Sequence, residues 1–283
     1  MSKFFNETQK AQQWVPQVPE SGHLDVVSVI DAIKQSDTVA NNVAEPSQIA
    51  SLEVAAEKPA RGRVQTLPSE EPLPAPAVEA YGSLRARVLK LQASKGIRSL
   101  MLTSSLPSEG KTMTALNLAV SCAKLQNLRI LLVDGDLRSR GLTRLLKIPE
   151  GPGLSDFLGG NVTADQTVLP TEHENLFVLG AGSLNGQPSE LFASARWPEY
   201  VAWASQSYGI DIVDAPPIHS LSDAELISAG CDGVLIVVRA LTTAREMAQK
   251  CVSRMDKRKL VGIVFNGLPS SPDSEYGYYG VSS

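Results

Sequence analysis

Long apolar runs, cysteine and a surplus of positive charge are what this chain lacks. No apolar stretch in its 283 residues approaches the ~18 that a membrane-spanning helix needs. The N-terminus has no apolar core of the kind a secretion signal carries. Work at a membrane would therefore depend on another molecule to bring the chain there. The three cysteines, Cys122, Cys231 and Cys251, have no metal or redox spacing and fit a reducing cytoplasm. There are 26 Lys and Arg against 30 Asp and Glu, a net charge of −4. Residues 1–78 hold 6 of those basic and 10 of those acidic residues, so the remainder is balanced. With no basic field to follow, nucleic acid is not an expected partner. Aromatic residues make up only 5% of the chain, which makes any cluster of them informative.

Residues 1–78 are polar, rich in Ser, Gln, Glu and Pro, and weakly periodic, as a largely disordered segment would be. Pro68, Pro72, Pro74 and Pro76 make its end a stiff spacer. Ser21–Gln35 stands apart: Ser21 can cap a helix whose Val26, Val29, Ile30 and Ile33 form a short apolar stripe, either transient or a docking segment. A compact domain is expected over 79–269, followed by a flexible tail at 270–283. Glu79–Gln92 reads as an amphipathic helix. Apolar runs at Leu100–Leu102, Arg129–Asp136, Asn175–Gly182, Gly209–Asp214, Gly233–Arg239 and Leu260–Asn266 predict six strands, and helical patterns at Leu137–Ile148, from Pro188 through Trp203, Ser222–Ala229 and Thr243–Met255 fall between them. Strands that are almost wholly apolar and alternate with helices mean an α/β fold, a mostly parallel sheet covered on both faces. Ligands in such sheets sit beyond the carboxyl ends of the strands.

At one such end lies Leu102-Thr103-Ser104-Ser105-Leu106-Pro107-Ser108-Glu109-Gly110-Lys111-Thr112, between an apolar run and a helical pattern. Strand, small-residue loop and helix in that order make a phosphate cradle of backbone N–H groups, the Walker A arrangement of P-loop NTPases. Ser108, Glu109, Gly110, Lys111, Thr112 and Met113 are the expected nucleotide-binding residues. Lys111 can reach the β- and γ-phosphates of ATP, and the Thr112 hydroxyl can ligate Mg²⁺. Ser105 departs from the motif, which normally begins with Gly. Asp214 closes the run Ile210-Asp211-Ile212-Val213 as a Walker B acid would. Asp134 and Asp136 add a second pair of carboxylates at the same edge, more than nucleotide binding alone requires. One can orient Mg²⁺ and the other accept a proton from an attacking hydroxyl, although Asp136 could equally cap the next helix. Three of the six tyrosines, Tyr276, Tyr278 and Tyr279, crowd into a Ser/Gly/Pro-rich terminus. They are either a sticky tail or phosphoacceptors.

Together, the LTSSLPSEGKT, ILLVDGDLRSRGL, GAGSLNGQPSELF and DIVDAPP segments and the tyrosine cluster resemble the bacterial tyrosine kinases, autokinases of polysaccharide synthesis and export. The resemblance runs from about Glu79 to the C-terminus. It implies ATP and Mg²⁺ as cofactors, with Lys111, Asp134 and Asp136 catalytic and Thr112, Asp134 and Asp214 on the metal. It implies phosphorylation of Tyr276, Tyr278 and Tyr279 in trans within a homo-oligomer. Asn266, with Arg239 as a weaker candidate, would lie near the adenine. It further implies a separate membrane-bound polysaccharide co-polymerase partner that recruits this cytoplasmic chain to the inner face of the plasma membrane. Septum-positioning and partition ATPases share the fold but carry an early P-loop lysine where this chain has Leu106. Two further departures stand out. Ser108 occupies a frequent Gly position, and the family's E-x-x-R-x-x-R ring motif reads Glu79, Gly82, Arg85. A non-kinase ATPase switch and a degenerate nucleotide-binding scaffold are the rival readings.

Overall fold

Alternate residues of each central strand face opposite sides of one sheet, and both sides are dry. Leu100, Leu102, Ile130, Leu132, Ile210, Ile212, Leu235 and Val237 belong to one apolar cluster. Met101, Leu131, Val133, Val213, Val234, Ile236 and Val238 belong to another. This is why the strands read as continuous apolar runs rather than as an alternation. The computed structural model describes residues 63–66, 73–184, 186–218 and 222–268. The Ser21–Gln35 stripe, Pro68, Pro72 and the tyrosine tail lie outside the described residues.

In chain order the elements are α1 (Ala75–Lys95), β1 (Ser99–Ser104), α2 (Lys111–Ala123), β2 (Ile130–Asp134), α3 (Gly141–Leu145), α4 (Leu154–Leu158), β3 (Val168–Pro170), β4 (Leu176–Leu179), α5 (Pro188–Ala193), α6 (Arg196–Ser207), β5 (Ile210–Asp214), α7 (Ser222–Gly230), β6 (Gly233–Arg239), α8 (Arg245–Arg254) and β7 (Leu260–Asn266). The sheet has seven strands in the order β3-β4-β2-β5-β1-β6-β7. All neighbours are parallel except β3, which runs antiparallel to β4 at the edge. Helices α1, α2 and α3 contribute Leu84, Val88, Leu116, Leu118 and Leu142 to one cluster. Helices α4 to α8 contribute Phe157, Phe192, Trp197, Ile227 and Cys251 to the other. Among the described residues no helix is long and apolar enough to cross a membrane.

Several boundaries differ from the sequence reading. Helix α1 starts at Ala75 rather than Glu79, with Pro74 at its N-cap and Pro76 in its first turn. Proline is tolerated there because the first-turn N–H groups have no partner within the helix. Of the expected helix Leu137–Ile148 only Gly141–Leu145 forms, because Arg140 adopts a left-handed φ of 50° just before it. The pattern from Pro188 to Trp203 is two helices, broken at Ser194, which is extended at φ −72° and ψ 162°. Arg85, retained from the ring motif, donates to the Ser121 carbonyl of α2 at 2.8 Å.

The domain also reaches further back than expected. Val64 pairs with Thr171 beside β3. Thr66 donates through both its backbone N–H and its hydroxyl to the Glu172 carboxylate, at 2.8 and 2.6 Å. Val64 and Thr66 are buried. Burial works against the Glu172 charge, but the Thr66 bonds outweigh it and hold the carboxyl below its usual range. A lowered carboxyl contributes stability above its unfolded value of 4.5 and loses it in acid. Thr66→Val should cost about 1 kcal/mol at pH 7, read as a lower urea midpoint. The cost should shrink as the pH falls below that value, and an unchanged midpoint at pH 7 would show the latch to be idle.

Candidate functional site

The strand order brings three chain-distant segments to one mouth. Strand β1 lies beside β5, and β5 beside β2, with Leu102 and Asp134 both level with Asp214. The loop that leaves β1 therefore faces two acidic strand ends. Gly135 makes that approach possible: its N–H donates to the Asp214 carbonyl at 2.9 Å. A Cβ there would stand 2.9 Å from Val213 Cγ1 and 3.1 Å from the Asp214 oxygen.

The cradle is braced from inside. Ser108 adopts φ 66° and Gly110 φ 94°, so Ser108 carries the strain that glycine would avoid. Glu109 is 3% exposed, and its carboxylate accepts the Leu106 N–H at 2.8 Å and the Thr243 hydroxyl. Glu109 is thus a strut within the loop, leaving only its backbone for phosphate. Asn266 donates from Nδ2 to the Glu109 carbonyl at 3.0 Å and sits against Gly110, where a Cβ would collide with its amide. Its amide grips the phosphate loop, a role the sequence offered no signal for. The Met113 side chain, on the first turn of α2, is exposed.

Lys111 Nζ lies 3.2 Å from Asp136 Oδ2 and 3.3 Å from Asp214 Oδ1, and 3.3 Å from Thr112 Oγ1. Burial opposes the lysine charge, but Asp214 and Asp136 overcome it and raise its pKa. Burial also raises Asp214, with Lys111 and Thr112 pulling it back. Asp134 is pushed up to about 7 by burial, Asp214 adding to the shift and Thr143 opposing it. Thr143 is the residue that sequence reasoning missed. Its N–H and hydroxyl both donate to Asp134 Oδ2 at 2.7 Å, and its oxygen accepts the Ala181 N–H at 2.8 Å. Asp136 does cap the following turn, accepting the Ser139 N–H at 3.1 Å, while its other oxygen faces Lys111. Arg138 donates to the buried Asp223 of α7 at 2.8 Å.

Two carboxylate oxygens, Asp134 Oδ1 and Asp214 Oδ2, are buried with no hydrogen-bond partner. Buried carboxyl oxygens without donors are costly; a hard cation on Asp214 and a proton on Asp134 would satisfy them. Among the described residues no cluster of three or more His, Cys, Asp or Glu forms a metal cage. A Mg²⁺ shared with phosphate oxygens and water needs only one or two carboxylates, so the residues present fit that ion. Lys111, Thr112, Asp134, Asp136 and Asp214 are thus brought together. Tyr276, Tyr278 and Tyr279 lie outside the described residues.

No protein-family model matches the chain. Tyrosine-protein kinase YwqD of Bacillus subtilis is 34% identical over 205 residues, which make up 71% of this chain and 86% of YwqD. This chain belongs to the bacterial tyrosine kinase family. The tyrosine-protein kinase wzc of Salmonella typhimurium is 32% identical over 209 residues, 72% of this chain but 29% of wzc. The chimerical protein CapA2B2 superimposes with a TM-score of 0.66 at 29% identity, covering 74% of this chain and 94% of that one. Membership of a tyrosine-kinase family supports the kinase reading over a non-kinase switch.

Proposed function

We propose that the mouth formed by Lys111, Asp134, Asp136 and Asp214 binds Mg-ATP and transfers its γ-phosphoryl group to tyrosines of the C-terminal tail. The carrying observation is a lysine held between two buried carboxylates beside two donor-less carboxylate oxygens. Lys111 would turn from Asp136 and Asp214 to the β- and γ-phosphates as the nucleotide enters. Thr112, Asp214 and Asp136, which all touch Lys111, would hold Mg²⁺, which neutralises charge on the phosphates. Asp134, with Oδ2 fixed by Thr143 and Oδ1 free, would take the tyrosyl proton rather than the metal role given it by resemblance. The tyrosyl oxygen then bonds to the γ-phosphorus, the bond to the β,γ-bridging oxygen breaks, and ADP leaves.

The acceptors are Tyr276, Tyr278 and Tyr279 of a neighbouring copy. A membrane-bound polysaccharide co-polymerase would bring this cytoplasmic chain to the inner face of the plasma membrane. Incubation with γ-labelled ATP, Mg²⁺ and the cytoplasmic segment of that partner should label the tail, mapped by mass spectrometry. Bound ATP with no label on any of the three tyrosines would end the proposal. A strain whose three tail tyrosines are Phe should lose normal polysaccharide output, whereas a pure ATPase switch would leave it unchanged.

A further inference from the structure

A groove of about 480 Å³ runs between α4, α6 and the loop that leads into β3. Phe157, Val162, Ala164 and Trp203 make its floor. Each belongs to, or packs on, the apolar cluster of that face of the sheet. The floor is preformed: the Trp203 ring meets Tyr208 edge-on at 5.7 Å, and the Phe157 ring carries the Arg196 guanidinium at 5.5 Å. Asp165, Arg196 and Glu199 stand on the rim, with Arg196 Nη1 3.3 Å from Glu199 Oε2. A rim of both signs does not select nucleic acid or an anionic lipid surface. Among the described residues, no buried polar side-chain atom without a hydrogen bond lines the groove, so it holds no unmet group for a small polar ligand. Its chemistry fits aliphatic side chains presented on a helix.

We infer that this groove seats the Ser21–Gln35 segment of the same chain, as a helix with Val26, Val29, Ile30 and Ile33 on the floor. Those four positions are spaced i, i+3, i+4 and i+7, the anchor pattern of an amphipathic helix lying in an apolar groove. The path of the chain leads there. Val64 pairs with Thr171 in parallel, its N–H donating to the Pro170 carbonyl at 2.9 Å. In a parallel pair earlier residues lie beside earlier residues, so the chain enters the latch at Arg63 from the direction of Val168 and Gln166. Gln166 lines the groove and lies five residues before Thr171, roughly 17 Å at most. Val64 lies 31 residues after Ile33, a length of chain that reaches up to roughly 100 Å. Covalent linkage keeps the stripe at an effective concentration on the order of millimolar, which a second copy does not match in dilute solution. The N-terminal segment is then tied to the domain at two points, the Val64–Thr66 latch and the groove. This inference does not depend on phosphorylation of the tail.

Photo-cross-linking on the full chain tests the seat. Cys122, Cys231 and Cys251 are buried, so in a Lys34→Cys variant a benzophenone maleimide attaches to the introduced thiol, on the flank of the stripe. Irradiation in dilute solution, mixed with an excess of unlabelled chain grown in nitrogen-15, should give cross-links to residues 157–166 or 196–203 of the labelled chain itself, mapped by mass spectrometry. Cross-links that map elsewhere on the domain overturn the assignment. Cross-links only to the nitrogen-15 copy overturn it as well, and give the groove to a second copy. Hydrogen exchange supplies an independent readout. Val29→Asp with Ile30→Asp places two charges on the stripe, outside the described domain. Amides of residues 157–166 should then exchange at least fivefold faster than in the parent, while those of β1 keep their rates. Unchanged exchange in residues 157–166 would show the groove to be empty in the parent and end the inference.

Discussion

Lys111→Met should lower tail phosphorylation by at least about 10²–10³-fold, the scale of losing one charged contact to the transferring group. It should also destabilise the nucleotide-free protein, because Asp214 and Asp136 would lose the cation that lies 3.3 and 3.2 Å away. Removing one partner of a buried ion pair costs on the order of 3–5 kcal/mol when the remaining charge persists. Here the remaining carboxyls can take up protons instead. Burial already raises Asp214 in the parent, and removing Lys111 raises it further. A folded-state carboxyl pKa above the unfolded value lowers stability as pH rises. The variant should therefore fall short of the parent by much more at pH 8 than at pH 5. Urea unfolding at the two values checks it. A variant that retains a tenth of the parent's labelling would overturn the catalytic assignment, and a pH-independent deficit would overturn the electrostatic one.

Asp211→Asn should stabilise the protein at alkaline pH. Asp211 sits on β5, 1% exposed, at the opposite end of the strand from the phosphate loop. Ser99 Oγ lies 3.2 Å from its Oδ2 and Tyr200 Oη 3.4 Å away. Its Oδ1 has no partner. Burial pushes its pKa up to about 7 from an ordinary 3.8, Asp232 adding to the shift while Ser99 and Tyr200 oppose it. The folded protein holds this proton more tightly than the unfolded chain, so stability falls as pH rises from about 4 to about 7 and stays low above that. Asn removes the charge but adds an amide that also needs partners. The net gain should be about 1–3 kcal/mol at pH 8 and close to nothing near pH 4. Denaturant midpoints for parent and variant across that range test it. Equal slopes with pH would show that Asp211 is not the group responsible.

The sheet was legible because its strands are dry on both faces, and such strands stand out in sequence as unbroken apolar runs. The acids that end β2 and β5 were legible because each closes one of those runs. Strand β3 was not. It is three residues long and ends in Pro170, its neighbour runs antiparallel, and no apolar run marks it. The latch from Val64 and Thr66 to Thr171 and Glu172 joins residues more than a hundred positions apart, and no local pattern encodes such a pairing. Helix breaks at Arg140 and Ser194 were missed because both interrupt patterns that keep their helical period. In the site, Lys111, Thr112 and Asp214 follow from a motif. Thr143 and the Glu109 strut do not, because their roles depend on which side-chain oxygen faces which backbone N–H. The bond from Asn266 to the Glu109 carbonyl was not legible either, since nothing in the sequence puts Glu109 opposite it.

That contact has a mechanical side. The polypeptide leaves the sheet through Asn266 on its way to the tyrosines, and the same side chain grips the Glu109 carbonyl. A neighbour that drew the terminus toward itself would therefore be tugging on a cord whose first knot is tied to the loop between β1 and α2.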